Sequence, residues 1–188
     1  MASVFLIGDS HFGHKNICHF TNYDGSRVRP WDLVEEMDEA MVERWNNVVH
    51  PCDKVYHLGD FAMTKAALLS ISPRLNGTKV LIRGNHDIFK LKDYAQFFKD
   101  VRGSHKLGDF ILSHIPVHPD SITNRWCKGN VHGHMHNNVV MVEREMETGI
   151  GIFPEMVPDL RYINVSVERI NFTPVPFENV ECYRGGGS

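Results

Sequence analysis

Three short apolar runs in the first half of the chain end alike, in glycine followed by an acid or an amide. Residues 3–8 read SVFLIG before Asp9, residues 54–59 read KVYHLG before Asp60, and residues 79–84 read KVLIRG before Asn85. Each is short and nearly continuous in its apolar character, the pattern of a buried strand. Between them the period changes. Leu33, Val34, Met37, Met41, Val42, Trp45 and Val48 recur at spacings of three and four, which predicts an amphipathic helix over 31–49. A second helix is predicted over 64–75, with Thr64 as N-cap and Asn76-Gly77 as the stop. Alternation of strand and helix implies parallel strands joined by right-handed crossovers, which gathers the loops that follow the strands on one edge. The three ends that carry an acid or amide therefore converge.

Beyond residue 100 the pattern becomes strand-rich. Residues 101–107 and 109–115 flank Gly108 as a hairpin would, and 130–136 and 161–170 read as further strands. The expected architecture is α/β, a two-sheet β-sandwich flanked by helices, with residues 116–129 as an irregular insertion at the edge where the loops gather. No repeat, low-complexity stretch or linker divides the chain, so one domain is expected over 1–184. The closing GGGS at 185–188 reads as a linker or tag remnant.

Composition removes several classes of protein. With 188 residues, 42% of them hydrophobic and 23% charged, the chain is neither a disordered tail nor a coiled coil. No apolar run approaches the roughly 18 residues of a membrane span, and the first apolar stretch is too short for a signal peptide. Cys18, Cys52, Cys127 and Cys182 form no C-x-x-C pair, which fits free thiols in a reducing cytoplasm. A net charge of -3 counts against holding nucleic acid through its phosphates. What departs from the ordinary is the number of histidines, 12, because histidine is a frequent metal ligand and acid–base group.

Their positions give them meaning. Asp9-Ser10-His11, Gly59-Asp60, Gly84-Asn85-His86-Asp87, Ser113-His114 and Gly133-His134-Met135-His136 all fall at the ends of predicted strands. Taken singly, each also matches an ordinary turn or cap. Together and in this order they resemble the calcineurin-like metallophosphoesterase superfamily, over residues 9–136 and on to the last strand. Gly13-His14-Lys15-Asn16, Leu58-Gly59-Asp60-Phe61 and Asn164-Val165-Ser166-Val167 resemble its compact, single-domain bacterial and phage members.

The resemblance implies a metallophosphoesterase domain with two divalent metal ions, manganese first, with iron, nickel or zinc open. It places Asp9, His11, Asp60 and His136 on the first metal and Asp60, Asn85, His114 and His134 on the second, Asp60 bridging. On a strand, His134 and His136 would share a face, and a bend at its end could send one to each metal. The implied reaction is hydrolysis of a phosphate ester by a metal-bridging hydroxide, with His86 as general acid. Asp87 either fixes the tautomer of His86 or caps the helix that follows. One feature departs from the protein phosphatases of the superfamily: Gly59-Asp60 continues as Phe61-Ala62-Met63-Thr64, without a second aspartate and arginine.

The substrate side is less defined. Arg83 is either a phosphate clamp or a strand residue facing away. The loop of residues 10–30 is long and polar, and it starts at a ligand. His14, Lys15, Arg27 and Arg29 within it either contact the substrate beyond the scissile bond, as Asn85 would at the phosphate, or lie on a solvated loop. His57 and His132 lie within strands as core residues or as support for the ligands. A small phosphorylated substrate, a monoester or diester related to a nucleotide, is expected. Nucleic acid and membrane are not expected as partners, and the oligomeric state is open. A nuclease of the same superfamily and a non-catalytic metal-binding scaffold are the competing readings.

Overall fold

The computed structural model describes residues 2–122, 126–149 and 151–185. Residues 186–188 of the expected linker remnant and 123–125 of the expected insertion lie outside them. The chain is mixed α/β. Strands β1 (Val4–Ile7), β2 (Lys54–His57) and β3 (Thr78–Ile82) alternate with helices α1 (Val34–Val48) and α2 (Lys65–Ile71). A short α3 (Leu91–Tyr94) leads to β4 (Phe98–Arg102). Then follow β5 (Ser104–Leu107), β6 (Phe110–Ser113), β7 (Gly129–His132), β8 (Met141–Thr148), β9 (Gly151–Pro158), β10 (Tyr162–Asn164) and β11 (Val175–Pro176).

The first sheet runs β11-β1-β2-β3-β4, and β1 to β4 are mutually parallel. The second runs β10-β7-β6-β5, and β8 pairs only with β9. The two larger sheets meet at the end of β1. Gly8 N–H donates to Val165 C=O at 2.8 Å, and Val167 N–H donates to Gly8 C=O at 3.0 Å. One hydrophobic cluster contains Leu6, Val55 and Leu81 of the first sheet, Leu112, Val131 and Ile163 of the second, and Met37 and Trp45 of α1. The ends of β1, β2 and β3 thus stand over a continuous core, which holds the loops after them in fixed positions.

Several expected boundaries shift for physical reasons. Helix α2 starts as expected, with Thr64 Oγ1 accepting from Ala67 N–H, but gives way to a 3-10 turn at Ser72–Arg74 because Pro73 cannot continue it. Val101 and Arg102 belong to β4 at the edge of the first sheet, not to the hairpin, which is β5 with β6. Strand β7 stops at His132, and β10 stops at Asn164. The hairpin of β8 and β9 has no clear alternation of polar and apolar positions, being exposed along most of its length, and no strand is predicted there. Among the described residues no helix is long and apolar enough to cross a membrane.

Candidate metal centre

Among the described residues seven that are not glycine have positive φ, and five of them are predicted ligands: Asp9 (57°), His11 (49°), Asp60 (55°), His134 (68°) and His136 (47°). Such a backbone is uncommon for these residue types and persists only where the surroundings enforce it. Here the strand ends enforce it. Asp9 N–H donates to Gly59 C=O at 3.0 Å and His11 N–H to Asp60 C=O at 2.9 Å, so the turns after β1 and β2 lock together. His134 and His136 lie beyond the end of β7, not on it, and the bend expected there is present: tight turns aim the two rings into different clusters.

The first cluster is Asp9, His11 and His136, whose ligand atoms lie within 4.8 Å of one another. Asp9 is fully buried and accepts from Ser166 Oγ at 2.8 Å and from the N–H of His134 at 2.8 Å. Gly133 must be glycine, because a Cβ there would collide with Asp9 Oδ2. Burial pushes the Asp9 carboxyl up to about 7 against the opposing pull of His114 and His136. His136 Nδ1 meets Glu168 Oε1 at 3.0 Å; as donor to that carboxylate, the ring keeps Nε2 as its free base. The same oxygen accepts from Arg29 Nε at 2.9 Å and lies 2.8 Å from Arg29 Nη2. Although burial opposes it, the Arg29 charge followed by His136 brings Glu168 down to about 2.

The second cluster is Asp60, His114 and His134, again within 4.8 Å. His114 Nδ1 lies 2.8 Å from Leu58 C=O, which fixes an N–H there and turns Nε2 toward Asn85 Oδ1 at 2.8 Å, where a cation would take the place of its proton. Gly84 repeats the role of Gly133, since a Cβ there would collide with Asp60 Oδ1. Burial raises Asp60, but the hydrogen bond and charge of His114 outweigh it and bring the carboxyl to about 2. Its Oδ1 accepts from His86 N–H at 2.8 Å. Its Oδ2 lies 3.4 Å from His114 Nε2 and 3.6 Å from His11 Nε2, facing both clusters.

These donors fit divalent cations. His11 is buried, yet neither ring nitrogen has a hydrogen-bond partner, and a buried imidazole without partners is costly unless a cation uses its lone pair. His134 Nδ1 and His114 Nε2 approach to 3.2 Å, an arrangement suited to a shared ion. Carboxylate, imidazole and a carboxamide oxygen suit manganese, iron, nickel or zinc.

The seven predicted ligands are therefore brought together. Other predicted residues are placed differently. The hydrogen bonds of the Asp87 carboxylate go elsewhere than to the His86 ring, and the N-cap of α3 is Lys90. The buried Asp87 carboxylate accepts from the N–H groups of Asp60, Phe61 and Gly84 at 2.8, 3.1 and 2.8 Å, clamping the Asp60 turn to the loop before Asn85. Arg29 is fully buried, and its guanidinium donates to the carbonyls of Asp9 and Ser10 at 2.6 and 2.7 Å, so it holds the first turn and has no access to substrate. Arg27 pairs with Asp32, and Lys15 is exposed and is not among the residues that line the cleft. Arg83 is exposed beyond the end of β3, rests on the carbonyls of Asp87 and Phe89, and borders the surface beside Asn85 and His114. His86 and His14 do line the cleft; the His86 ring centroid lies 5.4 Å from that of His11.

Two sets of residues escape the sequence reading. Glu168 stands in the run Val165–Ile170, where an acid among apolar positions was the available signal. Ile17, Phe20, Asn22 and Tyr23 line the cleft from the loop of residues 10–30, and Asn138 lines it from the segment after β7; these are apolar and amide groups that no charge pattern marks.

No family model matches the chain. It is 35% identical over 181 residues to the uncharacterized protein MJ1445 of Methanocaldococcus jannaschii, covering 95% of this chain and 89% of that one. The gene 66 protein of Mycobacterium phage L5 is 29% identical, over 84% of this chain and 90% of that protein. The crystal structure of AQ665, a protein of unknown function from Aquifex aeolicus, superposes with a TM-score of 0.64 at 24% identity and covers 96% of this chain and 98% of its own, a likeness of fold. Given an identity of 35% along nearly its whole length, the chain belongs to the same family as MJ1445.

Proposed function

We propose that the protein is a dimetal phosphoesterase with the metallophosphoesterase fold, its two larger sheets forming a sandwich, and that it hydrolyses small phosphate esters in the cytoplasm. The observation that carries this reading is the shared carboxylate, one oxygen of Asp60 facing His11 and His114 at 3.6 and 3.4 Å. Two divalent ions would supply a water that ionises near neutral pH and positive charge opposite the phosphoryl oxygens. Asp9, His11 and His136 would hold one, and Asn85, His114 and His134 the other, with Asp60 serving both. With only Asp9 and Asp60 as anionic ligands, the loaded site would stay positive and attract a phosphate.

The chain's own groups then have separate tasks. His86 is exposed at the cleft, and its backbone is pinned to Asp60 Oδ1, so its ring can deliver a proton to the leaving oxygen from a fixed position. Arg83, held by two carbonyls beside Asn85, can balance charge on a phosphate oxygen. Among the described residues the cleft beside the first cluster is lined by no Lys or Arg, which favours a small ester over a nucleic-acid strand.

The test is metal removal and return. Stripped protein should be inactive, regain about two ions per chain, and with manganese hydrolyse p-nitrophenyl phosphate or its bis ester. His86→Ala should keep both ions and lose about 10²-fold or more in turnover, more for alkyl than for nitrophenyl esters, because only a basic leaving group needs the proton. A reloaded protein that cleaves no ester would refute the reading.

A further inference from the structure

We infer that the cleft beside the first cluster receives a flat, uncharged, hydrogen-bonding ring, so that the substrate is a single phosphate carried by a nucleoside or aryl group and not a polyphosphate. This deepens the phosphoesterase reading and rests on it. The cavity measures about 460 Å³, within the range of roughly 300–1,000 Å³ typical of small-molecule sites. His11, His86 and His136 form one end, so a phosphorus atom placed at the metal centre directs the rest of the molecule into the cleft.

The far walls are apolar or amide. Phe20, Tyr23 and Ile17 come from the loop after β1, Asn137 and Asn138 from the segment after β7. Further phosphates would need cations or a row of donors here, and no Lys or Arg is among the lining residues, Arg29 being bound to Asp9, Ser10 and Glu168 and Arg27 to Asp32. A heterocycle needs what is present, ring faces to stack on and amides that donate and accept.

The walls are also built in advance. Asn22 N–H donates to Ser26 C=O at 2.8 Å and Val28 N–H to Phe20 C=O at 2.9 Å, closing the loop on itself. Asn137 Nδ2 donates to Asn22 Oδ1 at 3.0 Å, tying the loop to the segment that bears His136. On the other wall, Asn164 Nδ2 donates to the carbonyls of His136 and Asn138, both at 2.8 Å. Phe20 is 49% exposed with its ring 5.7 Å from that of His14, and Tyr23 is wholly exposed. Neither ring is buried in the core, and the backbone that carries both is already closed on itself, so binding has only the side chains to order.

Binding to metal-stripped protein, followed by calorimetry, gives a readout independent of turnover. Adenosine and cytidine should bind, and Phe20→Ala and Tyr23→Ala should each weaken them about tenfold, as loss of a base–aromatic stack does. In the manganese-loaded protein the same changes should raise KM for nucleoside monophosphates and phenyl phosphate and leave glycerol phosphate unchanged. Nucleoside triphosphates should be no better than monophosphates. Asn138→Ala separates the two ring sources, weakening nucleosides but not phenyl phosphate if the ring is a base, and neither if it is a simple aryl group. Unaltered nucleoside binding in both ring variants, or a preference for triphosphates, overturns the inference while leaving hydrolysis of small esters intact. Ring-dependent binding in a loaded protein that cleaves no ester would refute the phosphoesterase reading instead.

Discussion

The two halves of the candidate metal centre are supported by different physics. Around Asp9, His11 and His136 the support is buried charge: Arg29 and Glu168, both sealed from solvent, hold the Asp9 and Ser10 carbonyls and the His136 ring. Around Asp60, His114 and Asn85 it is backbone: Asp87 gathers three N–H groups, and the Leu58 carbonyl sets the His114 ring. A buried ion pair is intolerant of losing one partner, because the other is left charged and desolvated. A carboxylate surrounded by N–H donors loses hydrogen bonds piecemeal instead. The difference teaches that damage to the first half should be abrupt and damage to the second graded.

Asp60 belongs to both halves, so its loss should abolish the distinction and produce the largest effect. Asp60→Ala is expected to bind neither ion tightly and to lose activity by about 10³-fold or more, in line with losing a ligand common to both metals. Metal content after dialysis checks this. Retention of two ions at wild-type affinity would show that the halves are independent after all.

Glu168→Gln comes next. It removes the charge that Arg29 faces while keeping the shape, and should destabilise the fold by about 3–5 kcal/mol. It should also weaken the first ion by about 10–100-fold, as altered partners of ligating histidines do. The second ion should bind as before. Equal weakening of both ions in a calorimetric titration would erase the contrast between the halves.

Asp87→Asn should act on the other side and less strongly. The side-chain amide turns one oxygen into a donor facing N–H groups of Asp60, Phe61 or Gly84, so the Asp60 turn loosens. About tenfold weaker binding of the second ion is expected, with His136 and Glu168 undisturbed. Loss of the first ion to the same degree would mean that the two turns move as one.

The same contrast explains what was legible beforehand. The candidate ligands were legible because they gather at the ends of strands that apolar runs identify, and glycine beside a candidate ligand, before Asn85 and before His134, marks the close approach now seen at Gly84 and Gly133. Strands β1 to β3 could be read for the same reason. The supports were not, because their partners are distant in sequence: Arg29 meets Glu168 across 139 positions, and Asp87 meets Asp60 through backbone N–H groups that no side-chain pattern records. Arg27 and Arg29 look alike on the chain, yet one lies on the surface with Asp32 and the other is buried under the Asp9 turn. Only the packing of the loop separates them. The hairpin of β8 and β9 went unread because its strands have no buried face to impose alternation.

The smallest effect is expected where the two halves touch. Ser10, between Asp9 and His11, donates its hydroxyl to Phe61 C=O at 2.8 Å, so the contact of 2.9 Å with His57 Nε2 must be a hydrogen bond donated by the imidazole. That leaves His57 Nδ1 buried without a partner, packed between Trp45 and Phe61, and a proton there would have no acceptor. Burial accordingly lowers the His57 pKa from 6.5 to about 3. Between those values the unfolded chain holds a proton that the folded chain refuses, so stability is complete above about pH 6.5 and falls as the pH drops toward 3. At about 1.4 kcal/mol per pH unit, the loss amounts to a few kcal/mol across the window. His57→Phe removes the titration at the cost of one hydrogen bond, about 1 kcal/mol. In urea denaturation of metal-free protein the variant should be slightly less stable than wild type at pH 7.5 and more stable at pH 5. Both ions should bind nearly as before, since Ser10 keeps its bond to Phe61. Identical slopes of stability against pH would remove His57 as the acid-sensitive joint. Loss of both ions would show instead that this contact, and not Asp60 alone, couples the two halves.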